Sequence, residues 1–212
     1  MTAPRVYSSD VAFSRSVKEV QERKGSRRAY ARMEEGGSWE TRITPELSAF
    51  IASQRSVFLA TSSVDGQPYV QHRGGPPGFL RVLDDERTLA FADFVGNRQY
   101  ITLGNLEENP KAQLFLIDYA TRRRIKIWGE VRVVSGDAAL LAAMTPERYR
   151  ARIDQVLVFS VAAWDSNCPQ HIPRRFEEED VKTLLAERDA RIASLENELA
   201  SLKAARACGA LP

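Results

Sequence analysis

The β-branched and apolar run Val57 to Ser62 is followed by Val64-Asp65-Gly66-Gln67, after which Tyr69 to Arg73 returns as a second strand. The Asp-Gly pair between them is among the strongest short-range signals for a β-hairpin. The chain then keeps to the same grammar. Gly74-Gly75-Pro76-Pro77-Gly78 ends the second strand, since proline cannot donate to a ladder and glycine permits unusual backbone angles. Further strands are expected over Phe79 to Leu83, Arg87 to Phe94 and Lys111 to Asp118, the last a near-continuous apolar run suited to a barrel wall. Arg124 to Val134 sets Ile125, Ile127, Val131 and Val133 on one side, and Gln155 to Trp164 is the last strand.

Helices are expected only between and beside these strands. Thr44 as N-cap, Pro45 at the first helical position and Glu46 in the first turn open a short helix that ends near Gln54. Asn97 to Glu108 reads as a helix with Tyr100, Ile101 and Leu106 on its buried face, stopped by Asn109-Pro110. Thr145-Pro146-Glu147 repeats the start signal for a short helix to Arg152. Residues 16–35, polar and basic, form an N-terminal helix that is draped over the strands or partly mobile. Six or so short strands with helices at the connections predict a mainly β (α+β) fold, a small barrel rather than a doubly wound parallel sheet.

The segment from Glu177 to Ala205 differs in kind. Val181, Leu185, Arg188, Ile192, Leu195, Leu199 and Leu202 recur at alternating spacings of four and three, the seam of a coiled coil with Arg188 as its polar intruder. Such a stripe needs a partner, either the chain's own barrel or the tail of another copy. The expected division is an N-terminal extension over 1–43, a barrel domain over 44–175 and a C-terminal helix over 176–212.

Composition narrows the function classes. Of 212 residues, 43% are hydrophobic and 27% charged, the balance of a soluble globular chain, and the net charge of +2 provides no field favouring nucleic acid. No run approaches the roughly 18 apolar residues of a membrane span. The first ten residues lack a secretory pattern, which predicts a cytoplasmic location. Cys168, Cys208, His72 and His171 lack the close paired spacing of a zinc site, so no metal is expected.

Two polar clusters stand out at strand ends: Gln71-His72-Arg73-Gly74-Gly75 and Asn97-Arg98-Gln99. Small or amide-bearing residues around an arginine are how a β-scaffold presents donors to a phosphorylated ligand. Arg98 can hold two phosphate oxygens at once, and Asn97 stands where a helix begins, so orphan backbone N–H groups point at an anion there. Side-chain alternation puts Gln71 and Arg73 on one strand face and His72 on the other.

The stretch from about Ser56 to Val134 resembles the FMN-binding split barrel of the pyridoxamine 5′-phosphate oxidase family. The resemblance rests on Gly66-Gln67-Pro68-Tyr69, the strand Val70 to Gly75, Asn97-Arg98-Gln99 and Asn109-Pro110, in the family's order and spacing. It implies a six-stranded split barrel that binds FMN at the interface of a homodimer. By position it assigns Gln71, His72, Arg73 and Gly74 to the flavin ring and ribityl chain, and Arg98 and Gln99 to the phosphate. Ala92, Asp93 and Arg124 fall at further flavin-contacting positions.

The departures are informative. The family's phosphate lysine is Gln99 here, its substrate lysine corresponds to Pro76, and its closing Trp and Arg segment has no counterpart, so vitamin B6 oxidation is not expected. Asn167-Cys168-Pro169-Gln170-His171-Ile172 instead resembles a segment of flavin-nucleotide-binding relatives without a settled substrate. Cys168 and His171 are the candidate catalytic residues, and Gln170 and His171, contributed by the second copy, are candidate cofactor contacts. The implied function is an oxidoreductase that passes electrons from a reduced nicotinamide nucleotide or small organic donor. A non-catalytic flavin sensor with a helical interaction tail is the alternative, and relatives of the barrel also accommodate deazaflavin or haem.

Overall fold

The computed structural model describes residues 5–83, 85–145 and 149–207. Its sheet has seven antiparallel strands rather than six: β1 (Ser56–Ser62), β2 (Pro68–Gly74), β3 (Leu80–Val82), β4 (Thr88–Phe94), β5 (Lys111–Asp118), β6 (Arg123–Val134) and β7 (Ile153–Asn167). They run in the order β2-β1-β5-β6-β7-β4-β3. The three-residue β3 pairs only with β4 at the edge of the sheet and makes up the difference.

The β1–β2 hairpin turns through Ser63 to Gln67, where Gly66 takes a φ of 85° and the Gln67 N–H donates to Ser63 Oγ. Ser62 pairs with Pro68 and Ser56 with Gly74, so the register runs unbroken along both strands. Leu59, Leu114, Leu116, Ile125, Ile127, Leu157 and Phe159 interlock on the concave face as the barrel core. Helix α3 (Pro45–Ser53) closes it with Leu47 and Ile51, its first turn capped by the Thr44 hydroxyl. Strand β4 is buried on both faces. Its Leu89 and Phe91 enter that core, while Ala90 and Ala92 join Val156, Val158 and Met144 under α5 (Ala138–Met144).

Several expectations need correction. The N-terminal helix is two, α1 (Arg15–Arg23) and α2 (Arg27–Glu35), because Gly25 turns the chain at a φ of 77°. This pair is fastened around buried Glu34, which accepts from Lys18 at 3.3 Å, from Ser9 at 3.3 Å and from Arg27. Trp39, just beyond, stacks on Trp128 of β6 at 4.7 Å, so the extension is pinned to the sheet. Helix α4 begins at Ile101 rather than Asn97. Its buried residues are Thr102, Asn105 and Leu106, and Tyr100 and Ile101 face outward. The helix expected from Thr145 falls on residues 146–148, outside those described, and Tyr149 to Arg152 is not helical.

A second compact unit comprises Tyr119–Thr121 and the chain from His171 onward. Within it Arg175 lies over the Tyr119 ring, 4.6 Å from its centre, and α6 (Glu178–Ala207) is one uninterrupted helix. Among the described residues no helix is long and apolar enough to cross a membrane.

Candidate functional site

Alternation along β2 exposes His72 and turns Tyr69, Gln71 and Arg73 to the other face. Those three line a cleft whose opposite wall is Asp93 at the end of β4, the loop Val95 to Tyr100 and the first turn of α4. The cleft is partly open to solvent, and its water-accessible volume is about 60 Å³. The two polar clusters singled out in the sequence therefore face one another across a single space.

Each wall is held by polar contacts. Thr102 Oγ1 donates to Gln71 Oε1 at 2.8 Å, which ties β2 to α4 and leaves the Gln71 amide nitrogen without a partner among the described residues. Arg73 pairs with Asp93, and Gln155 Nε2 donates to the other Asp93 oxygen at 3.0 Å. Both charged side chains are largely buried, at 14% and 10% exposure. Arg73 Nε is buried with no hydrogen-bond partner among the described residues, an orphan donor of the kind native structures rarely leave.

The loop before α4 is strained in a consistent way. Arg98 and Tyr100 take φ values of 60° and 55°, the left-handed region that non-glycine residues enter only where the surrounding structure imposes it. That conformation delays the helix to Ile101. Its N-cap, Tyr100, supplies no side-chain cap, so first-turn N–H groups remain open at the cleft. Asn97 Oδ1 accepts from the Gln99 N–H at 3.3 Å and shapes the turn. Arg98 is exposed and has no carboxylate partner among the described residues, whereas the charge of Arg73 is answered by Asp93.

The remaining candidates lie elsewhere. His72 sits on the outer face of β2, 2.7 Å from Ser56 Oγ and edge-on to Phe58. Gly74 is confined by its own chain, since a Cβ there would meet His72 Cε1 at 2.9 Å and Arg55 O at 3.1 Å. At Gly75 a Cβ would collide with Phe79 at 2.6 Å, so a side chain has no room at either glycine. Ala92 points into the α5 cluster. Arg124 pairs in the ladder between Ile117 and Asn167, its Nε buried without a partner among the described residues. Cys168 and Gln170 are exposed beyond the end of β7, and His171, in the second unit, is exposed with a φ of 62°. Conversely, the cleft includes Tyr69 and Thr102, which the sequence reading did not assign. Tyr69 continues the period-two pattern of Gln71 and Arg73, and Thr102 becomes visible only once the helix start is known.

The model for the family described as pyridoxamine 5′-phosphate oxidase matches residues 43–175. The chain belongs to that family. Among solved structures, several are similar to the chain at low identity. HupZ of Group A Streptococcus is 21% identical with a TM-score of 0.48, covering 63% of this chain and 99% of its own. An FMN-binding protein from Syntrophomonas wolfei is 14% identical with a TM-score of 0.45, covering 71% and 96%. General Stress Protein 26 from Bacillus anthracis is 16% identical with a TM-score of 0.44, covering 57% and 91%. No curated protein matches the chain. The pyridoxamine 5′-phosphate oxidase match spans every strand of the sheet and both walls of the cleft.

Proposed function

We propose that the chain binds flavin mononucleotide in the cleft between β2 and α4 and acts as an oxidoreductase through it. The observation that carries this reading is the meeting of Gln71 and Arg73 with Asn97, Arg98 and Gln99 around one space. The donor set fits the group. Arg98 and the uncapped first turn of α4 suit a dianionic phosphate. The free Gln71 amide and the orphaned Arg73 Nε suit the carbonyl and hydroxyl oxygens of the ring and ribityl chain.

Bound flavin would supply two-electron transfer, and the protein's part is to bind and orient it. With Arg73 neutralised by Asp93, Arg98 is the cation left for the anion beside the first turn of α4, and the lysine that the family has at Gln99 is not replaced. A second copy completes the pocket in this proposal, with its Cys168 to His171 loop against the exposed side of the flavin. The function is tested by the absorption spectrum of freshly purified protein and by titration with FMN, followed by anaerobic addition of a nicotinamide nucleotide. Saturable FMN binding with bleaching by the reduced nucleotide is the expected result. Binding without bleaching would leave a flavin-binding protein that is not this oxidoreductase. A haem Soret band, or colourless protein that takes up no flavin, would overturn the cofactor assignment.

A further inference from the structure

Helix α6 carries its apolar seam in the open. Val181, Leu185, Ile192, Leu195, Leu199 and Leu202 are between 40% and 57% exposed. Leu185, Ile192 and Leu199 occupy one class of seam position (a), and Val181, Arg188, Leu195 and Leu202 the other (d). Ile192 at a followed by Leu195 at d has the β-branched-then-leucine pattern that favours two strands.

We infer that α6 pairs with α6 of a second copy as a parallel two-stranded coiled coil. The flanking charges select the occupant and its direction. In a parallel pair each g residue meets the e residue five places on in the other helix. Arg191 then meets Glu196 of the second copy and Glu198 meets its Lys203, and both contacts recur by symmetry. An antiparallel pair that sets Ile192 against Leu195 would oppose Asp189 with Glu196 and Lys182 with Lys203, like against like, and keep only Arg191 with Glu198 as a favourable flanking contact. Arg188 is the remaining polar seam residue. In the parallel pair the two Arg188 side chains share one seam layer, an unfavourable contact that Asp189 of the second copy, at the neighbouring e position, offsets. This surface shares no residue with the cleft, so the cross-linking below and the FMN titration read different side chains.

The test uses the full chain with Cys168 and Cys208 replaced by serine. Under mild oxidation Leu202→Cys is expected to form a covalent homodimer, because parallel pairing sets identical seam positions side by side. Arg191→Glu should lower the cross-linked fraction several-fold, and adding Glu196→Arg should restore it. Cross-linking confined to mixtures of Leu185→Cys and Leu202→Cys chains would overturn the parallel arrangement. Absence of cross-linking both at Leu202→Cys alone and in those mixtures, in protein whose circular dichroism shows α6 still helical, would overturn the pairing itself.

Discussion

Arg73 on β2 is ion-paired with Asp93 on β4, although these strands stand first and sixth in the order of the sheet. The contact can form only because the sheet curls until its ends meet, and it does so at the wall of the cleft. A buried pair of this kind is costly to break on one side, since the remaining charge is stranded in a poor dielectric. Arg73→Met should therefore destabilise the protein by about 3–5 kcal/mol in urea denaturation, and Arg73→Met/Asp93→Leu should recover much of that loss. A single-variant loss below about 1 kcal/mol would place the pair with ordinary exposed ones.

Arg98 presents the opposite case, an exposed cation with no carboxylate partner among the described residues and a left-handed backbone. Removing it should leave stability unchanged and weaken FMN binding by about 1.5–3 kcal/mol, roughly tenfold to over a hundredfold in Kd. Arg98→Lys keeps the charge without the planar fork and should fall between. Unchanged affinity in Arg98→Ala, measured by fluorescence quenching of added FMN, would remove Arg98 from the phosphate.

Gly129 marks where the β6–β7 register shifts, and a Cβ there would lie 2.0 Å from Ser160 O and 2.5 Å from Phe159 Cε1. The nearest obstacle is backbone, so side-chain adjustment cannot relieve it. Gly129→Ala is expected to cost at least the roughly 1–3 kcal/mol of an overpacked core. Thermal unfolding at wild-type temperature would contradict the packing described.

The N-terminal clasp should respond to pH at both extremes. Burial pushes the Asp10 carboxyl up, but hydrogen bonds from Lys18 and the Tyr7 N–H outweigh it and hold its pKa below the ordinary 3.8. The hydrogen bond to Asp10 raises Lys18 above 10.5 against the effect of burial. The stability from Asp10 is thus full above 3.8 and lost as pH falls through its lowered value. That from Lys18 is full below 10.5 and lost as pH rises through its raised value. Hydrogen exchange over Ser8–Val11 and α1, corrected for intrinsic rates, should be best protected between those limits. Lys18→Met should abolish the alkaline change, and a profile identical to wild type would exclude the clasp.

Read from sequence alone, the elements were largely legible where local chemistry decides them. Asp65-Gly66 marked the hairpin, Thr44-Pro45 the start of α3, and the alternation of Ile125 and Ile127 the strand β6. The candidate site was legible as two segments, because each sets an arginine among amide side chains at a strand end, and the structure brings both to one cleft. The start of α4 was not, since nothing local to Asn97-Arg98-Gln99-Tyr100 announces two left-handed residues.

Strand periodicity, turn chemistry and the apolar stripe of α6 are properties of neighbours in the chain, so the sequence by itself determined the main strands, the β1–β2 hairpin and the start of α3, but neither the start nor the buried face of α4. Pairings between distant residues are different in kind. Arg73 with Asp93, Thr102 with Gln71, Trp39 on Trp128, and the confinement of Gly74 and Gly75 by Arg55 and Phe79 depend on how far the sheet curls and on what packs against it. Only the tertiary structure decided that Arg73 is neutralised and Arg98 is not, because the charge left available to a ligand depends on contacts between strands that the chain order keeps apart.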